Sequence, residues 1–228
     1  MNVAENLEVI QREIVNACKD AGRNADEVKI IAVTKYVSPK RAQEAIDAGV
    51  LHLGENRNEG LLDKISHLQD KPVWHFIGTL QTRKVKNIID HVTYIHSLDR
   101  LSLAKEINKR AGSKVNCLIQ VNASGEESKH GLDPEDVIAF VQDLKQYTNI
   151  EVSGLMTMAP LTEDEQVIRD SFRKLKILQS EIQKLELKYA PCHELSMGMS
   201  NDFKIAVEEG STMVRIGTAL VGNESEVQ

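Results

Sequence analysis

Cysteine is scarce in this sequence: Cys18, Cys117 and Cys192 are the three in 228 residues, far apart and without a C-x-x-C pair. That spacing suggests neither a disulfide framework nor a zinc knuckle, and burial is the common fate of such thiols. Long apolar runs are missing as well. No stretch reaches the roughly 18 residues of a spanning helix, and the opening MNVAENLEVIQRE is polar and amphipathic, unlike a secretory leader. There is no surplus of basic charge, since 28 Lys+Arg against 34 Asp+Glu leave a net −6. A mildly acidic chain lacks the basic face that a polyanion requires; the short cluster Arg83-Lys84-Val85-Lys86 reads as a solvated helix face. Low-complexity tracts, Pro/Gly linkers and abrupt shifts of composition are also absent. What is present, 41% hydrophobic and 27% charged residues, is the composition of a globular protein. The expectation is one compact cytoplasmic domain over residues 1–228, with no membrane or nucleic-acid partner, monomeric or loosely dimeric.

Short apolar runs alternate with longer amphipathic ones. The predicted strands are 29–35, 51–55, 73–78, 93–97, 115–122, 151–156, 193–196 and 213–217, several rich in the β-branched residues that suit buried strands. Ser38-Pro39 and Asp133-Pro134 read as an N-cap followed by proline at the first helical position. Thr162 with Glu165 matches a capping box opening a long helix up to about Tyr189. Gly22, Gly49, Gly112 and Gly210 fall where helices should stop. Eight strands at about 28 residues per unit predict parallel βαβ pairing. A closed (β/α)8 TIM-type barrel or a doubly wound open sheet would satisfy it. The strand count, and the lack of G-x-G-x-x-G after the first strand, favour the barrel. No full helix can follow strand eight, because eleven residues remain after Gly217. The amphipathic segment 2–21 is expected to cover the barrel wall as an extra N-terminal helix.

In such barrels the functional groups gather at the carboxyl ends of the strands, and polar and glycine residues collect there in this sequence. Lys35 alternates with Ile31 and Val33, which would aim its amine into the barrel mouth. Partial desolvation there favours the free amine that a Schiff base needs; a solvated strand-end lysine is the plainer alternative. After strand seven, Ser196-Met197-Gly198-Met199-Ser200 combines glycine and hydroxyls with a helix starting near Asn201 and running to Glu209. After strand eight, Arg215-Ile216-Gly217-Thr218 adds a guanidinium and another hydroxyl. Barrels often hold phosphate at these two loops, although a glycine turn and a capped helix would look alike. A phosphate cup and a lysine amine together call for a ligand carrying both phosphate and aldehyde, which pyridoxal 5′-phosphate (PLP) does.

The segments AVTKYVS (32–38), HLGENRNE (52–59), WHFIGTLQTRKVK (74–86), IHSLDR (95–100), QVNASGEESKHG (120–131), GLMTMAP (154–160), LSMGMSNDF (195–203) and GSTMVRIGTALVG (210–222) together resemble the pyridoxal phosphate homeostasis family. That family is related to the N-terminal barrel domain of alanine racemase, and the resemblance covers nearly the whole chain. It implies a cofactor carried on Lys35 as an internal aldimine, with Asn56 lining it. It further implies phosphate contacts at Ser200, Gly217 and Thr218, Arg215 beside the pyridine nitrogen, and pocket positions at His75 and Met156. Thr79 departs from the proline many members carry, and His130 occupies a variable position.

The resemblance implies a role in vitamin B6 and amino-acid homeostasis without robust catalysis, with apo PLP-dependent enzymes as partners. An arginine beside the pyridine nitrogen does not readily supply a proton, so carbanion stabilisation is weak. The alternative is an amino-acid racemase of the alanine racemase type, for which Tyr36, Tyr94 or His75 would have to supply a second acid/base group. Metal-dependent chemistry has no H-x-H or HExxH behind it, and GMSND fails the serine-elbow pattern at its last position.

Overall fold

A computed structural model describes residues 2–68, 71–126 and 129–224; Glu127 and Ser128, within one of the matched segments, lie outside the described residues. Eight strands are present: β1 Lys29–Val33, β2 His52–Glu55, β3 Val73–Phe76, β4 Tyr94–Leu98, β5 Val115–Gln120, β6 Ile150–Met156, β7 Glu194–Met199 and β8 Met213–Ile216. Each pairs parallel to the next, and β8 pairs back onto β1 to close the barrel. Alternation along each strand splits the core in two. Ile31, Leu118, Met156 and Met213 meet inside the barrel, whereas outward neighbours such as Ala32 and Ile119 join the larger core beneath the helices.

The helices are α1 Val3–Asp20, α2 Pro39–Asp47, α3 Asn58–His67, α4 Leu101–Arg110, α5 Val137–Asp143, α6 Glu165–Gln183, α7 Phe203–Glu208 and α8 Thr218–Val221. In α1 the buried positions Val3, Leu7, Ile10, Ile14 and Ala17 recur every three to four residues, one stripe of an amphipathic helix. That stripe packs against α7, α8 and α2, so α1 closes the wall that the four-residue α8 is too short to cover.

The local signals held in part. Ser38 caps α2, accepting from the Arg41 N–H, with Pro39 at the first position. Gly22, Gly49 and Gly210 have φ of +66°, +104° and +103°, but Gly112 is not left-handed, because the chain leaves α4 through an extended Ala111. Asp133-Pro134 opens a 3-10 turn that leads into α5. The cap of α6 is Asp164, whose carboxylate accepts from the Gln166 and Val167 N–H groups; Thr162 instead accepts from the Asp164 N–H. The helix stops at Gln183, short of the expected Tyr189. Between β3 and β4 the chain forms a 3-10 segment, Thr82–Asn87, so the basic cluster does not lie on an α-helix.

Strand β7 runs three residues beyond its expected end, to Met199, and turns abruptly at Gly198 (φ +92°). A Cβ there would lie 2.5 Å from Ala206 Cβ and 3.0 Å from Phe203 Cα in α7. Glycine therefore sets how closely α7 approaches the strand end that presents Ser200. Gly198→Ala combines a left-handed backbone with overpacking, and we expect it to lower the unfolding free energy by roughly 2–5 kcal/mol in urea denaturation.

Candidate functional site

A cavity of about 1020 Å³ opens at the carboxyl ends of the strands. Lys35, Asn56, Met156, Ser200, Arg215, Gly217 and Thr218 all lie on its wall. Ile31 sits in the barrel interior and Val33 follows on the cavity wall, as alternation along β1 requires; Lys35, beyond the strand end, reaches the same wall. The expected desolvation of Lys35 is not found. β1 ends at Val33, so Lys35 stands on a turn with its side chain exposed and its ammonium 4.7 Å from the centre of the Tyr36 ring.

The backbone that carries Lys35 and Asn56 is anchored from behind. Thr34, fully buried, donates its hydroxyl to Glu55 Oε1 (2.7 Å), and the same oxygen pairs with the buried Lys64 ammonium at 2.9 Å. Each partner of this pair satisfies a charge that burial would otherwise penalise. Gly78 crosses directly over the next residue, where a Cβ would lie 2.3 Å from the Asn56 carbonyl oxygen. The loops after β1, β2 and β3 thus meet at one point on the rim.

The floor is Met156 and Arg215. The guanidinium is 5% exposed and donates to Ser196 Oγ (2.6 Å) and to the Thr157 carbonyl (2.9 Å). Burial pulls its pKa down to about 10, against the opposing pull of the Asp202 carboxylate, so it stays charged at neutral pH. Asp202 is a cavity residue that sequence reasoning missed. Within the expected phosphate cup its Oδ1 accepts the Met199 N–H at 2.5 Å, taking one of the donors an anion could have used. Burial raises its pKa. Its position preceding α7 would have suggested a helix cap, but Asp202 makes no side-chain cap and turns back to the Met199 N–H instead. Thr79, the departure from the family pattern, and His130, at a variable position, both line the cavity.

His75 and Ser196 do not line it. Both sit at mid-strand and point into the barrel interior, where each has 0% exposure. His75 Nε2 meets His52 Nδ1 (2.9 Å) and its Nδ1 meets His96 Nε2 (2.9 Å), while His96 Nδ1 meets Ser196 Oγ (3.0 Å). Tyr94, weighed above as an acid/base group, stacks on His75 at 4.5 Å and is likewise not a cavity residue. The cysteines are buried, and burial pushes the Cys117 and Cys192 thiols up to about 12.

Burial, reinforced by neighbouring positive charge, holds His75 and His96 well below 6.5. Both bind protons more weakly folded than unfolded, so their neutral burial stabilises above 6.5 and that stability is lost as pH falls below it. The expected loss is about 1.4 kcal/mol per pH unit for each histidine, readable by urea denaturation in a series of buffers descending from neutral pH. A flat profile would contradict neutral burial. For the anchor behind Lys35, Lys64→Met is expected to cost roughly 3–5 kcal/mol by stranding the Glu55 carboxylate, with Glu55→Gln/Lys64→Met recovering most of it in the same assay.

Residues 6–225 match the family described as alanine racemase, N-terminal domain. A curated relative from Aquifex aeolicus (strain VF5), named pyridoxal phosphate homeostasis protein, is 44% identical over 226 residues, covering 97% of this chain and 98% of that protein. The solved structure of PipY from Synechococcus elongatus PCC7942 with PLP bound superposes with a TM-score of 0.84 at 30% identity, over 96% of this chain and 100% of that one. Alanine racemase of Clostridium difficile 630 shares the fold, with a TM-score of 0.76 at 17% identity over 96% of this chain and 56% of that one.

Proposed function

The chain belongs to the alanine racemase N-terminal domain family, and from that premise we propose that it binds pyridoxal 5′-phosphate at the barrel mouth, as a cytoplasmic protein of vitamin B6 and amino-acid homeostasis. The observation that carries this reading is one cavity with an accessible amine on its rim, Lys35, and a buried guanidinium on its floor, Arg215. Hydroxyls of Ser200 and Thr218 and the backbone at Gly217 border the same space. That donor set fits the group: a nucleophilic amine for an aldehyde, neutral donors for a phosphate, and a fixed cation for the ring nitrogen.

Bound there, PLP supplies a reactive aldehyde and an electron-withdrawing ring. Lys35 would hold it through its side-chain amine, and the exposure of that side chain would leave the attachment open to exchange with incoming amines. Ser200, Gly217 and Thr218 would hold the phosphate, Asn56 and Met156 would confine the ring, and Arg215 would take the side of the pyridine nitrogen. His75 and Ser196 act from beneath, through Arg215. A guanidinium that already donates to Ser196 and Thr157 keeps its protons, so it would leave the ring nitrogen uncharged and would support carbanion chemistry only weakly. This favours storage and delivery of cofactor to apo PLP-dependent enzymes over turnover.

A racemase is the second reading, favoured by Tyr36 on the cavity wall as a group for the opposite face. Entry of solvent deuterium at the α-carbon of free amino acids, at a rate useful for turnover, would support it.

The decisive experiment is the absorption spectrum of the protein mixed with PLP, before and after borohydride, followed by peptide mapping. A band that collapses on reduction, with the adduct on Lys35, is expected. Lys35→Ala should abolish the adduct and weaken binding at least about tenfold, equivalent to ~1.4 kcal/mol. An undiminished adduct in that variant would overturn the assignment.

A further inference from the structure

We propose that His52, His75, His96 and Ser196 form a one-way hydrogen-bond chain that orients Arg215 and couples the cavity floor to the charge of His52 at the opposite end of the barrel. The contacts are contiguous: Arg215 Nη1 to Ser196 Oγ at 2.6 Å, Ser196 Oγ to His96 Nδ1 at 3.0 Å, then His96 Nε2 to His75 Nδ1 and His75 Nε2 to His52 Nδ1, both at 2.9 Å. The middle members are fully buried, whereas His52 opens β2 and is partly exposed.

The direction of the chain follows from its donors. A guanidinium donates and never accepts, so Ser196 Oγ accepts from Arg215. Among the described residues the Ser196 hydroxyl proton then has one acceptor, His96 Nδ1. An accepting Nδ1 puts the His96 proton on Nε2, facing His75 Nδ1. The same step places the His75 proton on Nε2, facing His52 Nδ1. Were His96 to donate from Nδ1 instead, Ser196 would receive two hydrogen bonds and its own proton would be buried unpaired, which is costly. The rings therefore share one neutral tautomer. They do not converge on an ion, because each linked nitrogen faces a neighbour in the chain; no group of three or more His, Cys, Asp or Glu among the described residues could hold a metal.

At His52 the chain meets charge. Lys29 from β1 and Glu194 from β7, paired with each other at 2.6 Å, both face it, as does His75 from β3, on which Tyr94 of β4 stacks. Burial, reinforced by Lys29 and opposed by Glu194, lowers its pKa from 6.5. A proton taken up by His52 occupies both of its nitrogens and removes the acceptor for His75 Nε2. The rings must then reverse tautomer in turn until Ser196 receives bonds from both His96 and Arg215. The reversal adds one proton, on His52, and leaves His75, His96 and Ser196 with the number they had. The displaced Ser196 proton turns out of the chain, and the hold on Arg215 Nη1 weakens.

Nitrogen NMR of the isotopically labelled full chain, with and without PLP, reads the tautomers directly. At neutral pH all three histidines are expected to carry the proton on Nε2. On acidification, charging of His52 should be accompanied, at one shared midpoint, by reversal at His75 and His96 and by a shift of the Arg215 side-chain signals. His52→Gln keeps an acceptor for His75 but cannot charge, so the neutral tautomers should persist and the shared midpoint vanish. His52→Leu removes the acceptor and should leave His75 and His96 in mixed tautomers at neutral pH. A proton on His96 Nδ1 in the unaltered protein, or His75 and His96 signals unmoved while His52 titrates, would overturn the proposal. These readouts exist without cofactor, so their failure is distinct from a failure to bind PLP.

Discussion

Burying Arg215 is the constraint around which the barrel interior is arranged. A guanidinium at 5% exposure keeps its charge and must find acceptors, because an unpaired buried cation is far costlier than an unpaired amide. The Thr157 carbonyl supplies one acceptor and Ser196 the other. Ser196 has no exposed surface of its own, so its partner must also be internal, and the histidines of β4 and β3 extend the series until it reaches His52. An aliphatic filling, as in the Ile31, Leu118, Met156 and Met213 half of the interior, could not have performed this task.

The cavity above inherits a rigid floor and an accessible rim. Its floor is held by hydrogen bonds from below, while the rim loops after β1 and β2 are held from outside by the Thr34–Glu55–Lys64 cluster. Lys35, between the two, is exposed. On the proposed reading, a fixed cation on the floor and an open amine on the rim would hold a reactive aldehyde in reach of other molecules. Asp202 beside Arg215 further moderates the positive field at the floor.

Much of this was legible along the chain, for identifiable reasons. Parallel strands buried on both faces read as apolar β-branched runs, so each of the eight was found within a few residues. Lys35 and Arg215 were marked by lying at or near strand ends, and both reach the cavity. The errors have equally specific causes. Thr162 and Asp164 are both competent caps, and the path of the loop decided that Asp164 bends back onto α6. The end of β7 depended on α7 packing against Gly198, a contact between segments that no local pattern records.

By itself, the sequence determined the eight-strand period, the N-terminal helix, the resemblance to a known family and the chemical types at the strand ends. These depend on spacing and composition, which folding does not alter. Depth was decided by the tertiary structure. His75 and Ser196 occur in the same motifs as cavity residues, yet the register of β3 and β7 in the closed barrel sinks them beneath Arg215. The register, the early end of β1 that leaves Lys35 in solvent, and the meeting of four strands along one hydrogen-bond chain arise from long-range packing, which a one-dimensional pattern does not encode.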